Sequence, residues 1–330
     1  MLKQLMAGCC ACALIANNVC AKTAQDIDAS IDEFIQRAAE ETNFTAAEVQ
    51  SILAQANKNQ QILDAIARPW EAKPWFQYYP IFLTETRIEK GIAFWQEHEL
   101  TLNKAETTFG VPAHVITAII GVETFYGTYK GKYPVLDALY SLGFYYPPRS
   151  AFFKKELLEY LHLVDEEKLT PTAINGSYAG AMGWGQFISS SYRHYAVDFD
   201  GDGIRDLLNN PQDAIGSVAN YFAKHKWQSG QPVIFKANFT PQAAALLEDG
   251  LSYSHTWQQL ADVGVTLKDT NFTPNSQQAA KLFAFDLEDG KEYWVGFDNF
   301  YVITRYNHSP LYAMVVHQLS EAIKAKRETR

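Results

Sequence analysis

Beyond residue 20 this 330-residue chain has no cysteine. Its four cysteines (Cys9, Cys10, Cys12 and Cys20) sit together at the N-terminus. The rest of the chain therefore holds no disulfide framework, no thiol nucleophile and no cysteine-based zinc site. After that N-terminal segment, no run approaches the roughly 18 apolar residues of a membrane span, so a soluble protein is expected. There is no basic run and no low-complexity tract. Acidic residues outnumber basic ones, 37 to 28, giving a formal net charge of −9. That balance argues against binding to nucleic acid or anionic membrane. No GxGxxG follows a strand and no P-loop lysine occurs, so no phosphate cradle is expected.

What is present begins with an export signal. Lys3 precedes an apolar, small-residue stretch from Leu5 to Ala16, and Val19-Cys20-Ala21 offers a small-residue cleavage site. Residues 1–21 read as a secretory signal peptide, which points to the periplasm. Leu5-Met6-Ala7-Gly8-Cys9 loosely resembles a lipoprotein signal. It leaves almost no apolar region before Cys9, so anchoring in the outer membrane is the lesser alternative. The remainder, with 47% hydrophobic and 20% charged residues overall, has a globular composition.

Periodicity gives a mainly α chain. Ile27, Ile31, Phe34, Ile35 and Ala38 fall at helical spacing. Thr45 and Glu48 form a capping box before a helix through Ala56. Residues 68–80, rich in proline and aromatics, read as extended. Residues 85–108, 111–127 and 151–163 read as helices, and Pro211 opens another. From Gly230 the character changes. Val233–Phe239 reads as a strand, and 281–287 with 292–297 as a hairpin around Asp289-Gly290. Tyr312 to Ala325 returns to helix. The class is mainly α with a small α+β part.

Two stretches carry chemistry. On the 111–127 helix, Glu123 follows Ile116 and Ile119 by seven and four residues, on the same apolar face. Burial there predicts a carboxyl that keeps its proton near neutral pH, as protonation of a glycosidic oxygen requires. A buried glutamate satisfied by arginine or backbone is the competing reading. The second stretch runs from Gly176 to Phe187. Its glycines allow close backbone approach. Ser177 and Gln186 offer neutral hydrogen bonds, and Tyr178, Trp184 and Phe187 offer flat faces suited to sugar rings. A structural glycine-rich turn fits equally well. A third stretch, Asp198 to Asp206, places aspartates at positions 1, 3 and 5 and glycine at 6 of an EF-hand-like loop. Its twelfth position is Asn209 rather than glutamate.

Gly121 to Gly127 and the glycine-rich stretch, with Asp213 to Phe222 and Ile303 to Ser309, resemble the membrane-bound lytic murein transglycosylase B family in order and spacing over about residues 26–325, while the acidic loop has one residue more than the family pattern. The resemblance implies a lysozyme-like α core (106–228 plus 299–325, with the loop 198–213), a helical N-terminal domain (22–105) and a small α+β subdomain (229–298). It implies Glu123 as catalytic acid/base. Ser177, Gln186, Tyr221, Tyr306, Asn307 and Tyr312 would line a glycan cleft, with Met182 and Phe125 or Tyr126 as further wall. It implies non-hydrolytic cleavage of the N-acetylmuramic acid to N-acetylglucosamine bond, leaving 1,6-anhydro ends, in cell-wall turnover. One carboxylate suffices, where ordinary glycosidases use two; Asp137 is the candidate second. A structural Ca²⁺ would be held by Asp198, Asp200, Asp202, the Ile204 carbonyl and Asp213. The expected partner is peptidoglycan in a Gram-negative periplasm, with other cell-wall enzymes as further candidates, and the chain is expected to be a monomer. A hydrolytic muramidase and a catalytically silent glycan-binding scaffold are the alternative functions.

Overall fold

The computed structural model describes residues 23–68, 73–268 and 270–329. The expected signal segment and its four cysteines lie outside the described residues. Helices dominate. The first, Ala24–Glu41, starts at a capping box between Thr23 and Asp26, and the second, Ala46–Leu53, at the expected box between Thr45 and Glu48. Each box satisfies two backbone donors that a helix start otherwise leaves bare.

Two expectations for the first third fail. The 85–108 stretch is two helices, Glu85–Glu97 and Glu99–Phe109, parted at His98 (φ −110°, ψ 25°). The break lets Ile92, Phe94 and Trp95 on one side, and Leu102 and Ala105 on the other, all reach the core. The 68–80 stretch is not extended throughout. Pro74 caps a helical turn, Trp75–Tyr78, which tightens into a 3₁₀ turn over Tyr79–Ile81. Trp75 and Tyr78 are both buried there, and their burial overrides the extended preference set by the prolines.

At the centre lies the helix Ala113–Thr124. Ile116, Ile119 and Ile120 have no exposed surface, which stabilises the fold by roughly 1.5–3 kcal/mol each. The helix packs on Pro310–Glu328 and on Glu85–Glu97. Two further helices, Val135–Tyr145 and Ser150–Glu166, pack on each other. One continuous core joins these helices to Phe34, Val49 and Ile62 of the N-terminal helices.

The β structure is in two places. Tyr133–Pro134 pairs with Asn175–Gly176 as a short ribbon against the start of Val135–Tyr145. The strands His255–Thr256, Ala279–Asp286, Lys291–Gly296, Ile234–Asn238 and Thr266–Leu267 form, in that spatial order, an antiparallel five-stranded sheet. Its hairpin turns at Gly290 (φ 92°), as the Asp-Gly signal required. One side of the sheet has its own cluster, including Ala237, Leu260, Val265, Leu282, Val295 and Phe297. From the other, Phe283 and Phe285 join the helical core. Among the described residues no single helix is long and apolar enough to cross a membrane.

Candidate active site

The central helix ends at Thr124, one residue after Glu123. Phe125, Tyr126 and Gly127 take φ of 51°, 58° and 78°, three successive left-handed residues. Each non-glycine costs about 1–2 kcal/mol there. Local bonds hold the turn. The Tyr126 hydroxyl donates to the Arg87 carbonyl (2.9 Å), and the Thr124 hydroxyl donates to the Trp184 carbonyl (2.9 Å). The helix is buried on nearly all sides, so Glu123 is not one of a stripe of core residues. It is half-buried, facing a cleft of about 740 Å³.

The cleft is lined by Glu123, Ser177, Tyr178, Gln186, Phe187, Tyr221, Tyr306 and Asn307, and by Arg149, Phe152, Arg305 and His308 among others. Glu123 is the one acid among the described residues that line it. Asp137, the candidate second carboxylate, is elsewhere. It accepts the Asn57 amide (2.8 Å) and does not line the cleft.

The committed hydrogen bonds decide what each polar group can still offer. Ser177 Oγ accepts the amides of Ala179 (3.2 Å) and Ala181 (3.1 Å), so its O–H remains a donor. Gln186 Nε2 donates to the carbonyls of Gly183 (2.9 Å) and Lys130 (3.2 Å), so its Oε1 remains an acceptor. Gln186 is itself left-handed (φ 50°), another strained residue at the cleft. The Tyr221 hydroxyl donates to the Arg305 carbonyl and the Tyr306 hydroxyl to the Gly185 carbonyl (2.6 Å). Both tyrosines therefore present ring surface rather than hydroxyl to the cleft.

Tyr312 departs from expectation. It is 2% exposed and does not line the cleft. It lies behind Glu123, and its hydroxyl donates to Glu123 Oε1 at 2.5 Å. Its ring is parallel to that of Tyr306 (7°, centroids 6.5 Å apart). Burial, then the charge of Glu123, pushes both tyrosine hydroxyls well above their ordinary range, so each stays a donor. Tyr312 thus holds the Glu123 carboxyl from behind.

The glycines also serve differently. A Cβ on Gly176 would lie 2.3 Å from the Ala181 carbonyl oxygen, and one on Gly183 (φ 74°) 2.2 Å from that of Leu207. These glycines let chain pack on chain, not chain on ligand. Trp184 lies under Gly127 and beside Phe94, away from the cleft. Met182 is fully buried, and Phe125 and Tyr126 line a separate hollow with Lys90 and Trp184. Arg149, Phe152, Ser191 and Arg305 are cleft residues that sequence reasoning missed. Arg305 lies inside the Ile303–Ser309 stretch but carried no chemistry of its own, and only the fold brings the four together.

The carboxylates of Asp198, Asp200 and Asp202 converge, with ligand oxygens within 4.8 Å of one another. Amides of Gly201, Asp202 and Gly203 bond Asp198 and set the turn. Asp213 does not join them. It is fully buried, and its two oxygens accept the amides of Phe199 (2.7 Å) and Asp206 (2.8 Å), pinning both ends of the loop. The Ile204 side chain is exposed and its amide donates to Asp202 (2.8 Å). Arg205 ties the loop to Glu166 and Glu167 of the Ser150–Glu166 segment and its end.

A family model described as a transglycosylase SLT domain matches residues 26–321. Over 305 residues the chain is 42% identical to the membrane-bound lytic murein transglycosylase B of Escherichia coli (strain K12), covering 89% of this chain and 82% of that one. The crystal structure of the soluble lytic transglycosylase SltB1 from Pseudomonas aeruginosa superposes with a TM-score of 0.85 at 44% identity, covering 91% of this chain and 99% of that one. The Escherichia coli lytic transglycosylase Slt35, solved in complex with calcium, gives 0.82 at 41%, covering 90% and 93%. With a cleft holding a single positioned carboxyl, this chain belongs to the SLT-domain lytic transglycosylases, enzymes that cleave the glycan strands of peptidoglycan.

Proposed function

We propose that Glu123 is the single acid and base of this transglycosylase. The supporting observation is its isolation: one carboxyl among the described cleft-lining residues, with one oxygen fixed by Tyr312. Two-carboxylate glycosidases spend the second group on a nucleophile or on activating water. With one group, the attacking oxygen must come from the substrate. Glu123 gives its proton to the oxygen joining N-acetylmuramic acid to N-acetylglucosamine, and that C1–O bond breaks. The same carboxylate then takes the proton of the muramoyl C6 hydroxyl as its oxygen bonds C1. The glutamic acid is regenerated, no water is consumed, and a 1,6-anhydro end results.

Ser177 and Gln186 fit the 2-acetamido group. The Ser177 O–H donates to the acetamido oxygen, and Gln186 Oε1 accepts the acetamido N–H. Held so, the acetamido oxygen can support the charge that develops at C1. The rings of Tyr221, Tyr306 and Phe187 supply apolar faces for the sugars, and Asn307 a further polar contact. Mass spectrometry of digested sacculi tests the reading. Wild-type protein should release products one water lighter than hydrolytic ones. Glu123→Gln should lower turnover by roughly 10²–10⁴-fold with an unchanged fold. An active Glu123→Gln variant would refute the assignment.

Calcium belongs to the same proposal. Three hard carboxylates at alternate positions, already convergent, suit Ca²⁺, and a relative of this chain was solved with calcium. Asp198, Asp200 and Asp202 would hold it, with the Ile204 carbonyl. The ion would brace a loop that Arg205 and Asp213 tie to the core, and it takes no part in the reaction. Periplasmic action follows from the substrate and the N-terminal signal, and the E. coli relative's description as membrane-bound keeps a lipid anchor in view. The proposed division of the chain stays as the sequence suggests: helical N-terminal part, lysozyme-like core and sheet-bearing part.

A further inference from the structure

Among the described residues two acids are buried almost completely, Asp213 and Glu156. Asp213 ties down the acidic loop. Glu156, on the helix Ser150–Glu166, has no part in the chemistry above, and a carboxyl buried there is costly unless its oxygens are well bonded. Its two bonds come from one residue, 34 positions on. Oε2 accepts the Ser190 amide (2.9 Å), and Oε1 accepts the Ser190 hydroxyl (2.7 Å). Burial pushes the carboxyl above its ordinary range, and the Ser190 bonds hold the rise in check.

Both ends of this link belong to stretches that line the cleft. Phe152 and Phe153 line it with Arg149, and they are neighbours of Glu156 on the helix surface, four and three residues back. Ser190 lies between Ile188 and Ser191, which line it with Phe187. The helix Ser189–Tyr195 starts here without a side-chain cap, because its cap position is Ile188, an apolar residue given to the cleft. The first-turn amide of Ser190 therefore needs an acceptor from elsewhere, and Glu156 supplies it from another helix. We propose that Glu156 is a positioning residue of the cleft: by holding Ser190 it fixes residues 187–191 against Arg149, Phe152 and Phe153, and so sets affinity for the glycan. The proposal rests on the reading of this cleft as the glycan site. The reacting groups are held independently. Glu123 is fixed by Tyr312, Gln186 by the Gly183 and Lys130 carbonyls, and Ser177 by the Ala179 and Ala181 amides. Glu156 thus acts on binding and leaves the chemical step alone.

The test measures kcat and KM on soluble glycan strands, with thermal unfolding alongside. Glu156→Met keeps the shape and removes both acceptors. It should raise KM about five- to tenfold with kcat within about twofold of wild type, short of the roughly hundredfold lost when reacting groups are misplaced by about 1 Å. Glu156→Gln should restore KM, since its carbonyl can accept the Ser190 amide while its NH₂ donates to Ser190 Oγ. Ser190→Ala, which removes only the hydroxyl, should raise KM about two- to threefold. The double variant Glu156→Met/Ser190→Ala should be no worse than Glu156→Met, because the pair acts as a unit. The proposal falls if Glu156→Met lowers Tm and leaves KM alone, if kcat falls at constant KM, or if the two substitutions multiply in their effect on KM. Should Glu156→Met not fold, Ser190→Ala decides, and a wild-type KM there overturns the proposal. Asn307→Ala is the control for the cleft itself. An unchanged KM in that variant would refute the glycan reading of the cleft, whatever the Ser190 variants show.

Discussion

Replacing Tyr312 by phenylalanine removes one oxygen and leaves the ring. That oxygen makes a 2.5 Å bond to Glu123 Oε1. The ring stays packed, because Phe occupies the same volume against Tyr306 and the rest of the core. A hydrogen bond to a charged group is worth about 1.5–3 kcal/mol. If the bond matters most when Glu123 is ionised, between the two proton transfers, its loss appears in kcat. That energy corresponds to roughly a 10- to 150-fold fall. KM should change little, since Tyr312 does not touch the cleft. Stability should fall by only about 1 kcal/mol, a few degrees in Tm. The assay is release of anhydro-muropeptides against substrate concentration, alongside thermal unfolding. A kcat within twofold of wild type would refute the positioning role. A raised KM with unchanged kcat would restore Tyr312 to the substrate-binding set.

Two further outcomes concern stability. Chelation with EDTA should lower Tm, and excess Ca²⁺ should restore it, by about 2.7 kcal/mol at a hundredfold excess over Kd; Asp202→Asn should abolish that response while turnover under folded conditions persists. His114, stacked on Trp95, is held down to about 4 by burial, then by Lys324 and His317. The folded state thus refuses a proton that the unfolded chain takes below about 6.5, so stability should decline as pH falls from 6.5 towards 4 and level off below. His114→Gln should flatten that slope in urea titrations; an unaltered slope would show that the loss arises elsewhere.

Glu123 stood out in the sequence because it sits in a run of apolar residues whose helical reading is unambiguous, and because its flanking motif is long. Ser177 and Gln186 stood out because a glycine-rich stretch surrounds them. Tyr312 was assigned to the cleft by resemblance, yet 189 residues separate it from Glu123, and no local pattern tells a residue in front of a carboxyl from one behind it. Asp213 was placed at the calcium loop by resemblance, and its two oxygens accept the backbone amides of Phe199 and Asp206, contacts that no sequence pattern announces. The helix Val135–Tyr145 escaped notice because it is buried on almost every side, which erases the periodicity that marks a half-exposed helix. The break at His98 escaped because both halves carry good helical periodicity, and only tertiary packing parts them.

The left-handed turn at Phe125–Gly127 has a consequence for evolution. An α-helix turns about 100° and advances about 1.5 Å with each residue. Pro112 starts the central helix, and the turn ends it by bonds to Arg87 and Trp184 that leave no slack. An insertion or deletion between them would swing the glutamate a quarter-turn or more out of the cleft, into neighbouring core. Substitutions along this segment can be absorbed by repacking, but changes of length cannot. Among descendants of this chain, the number of residues from Pro112 to Glu123 should drift more slowly than their identities.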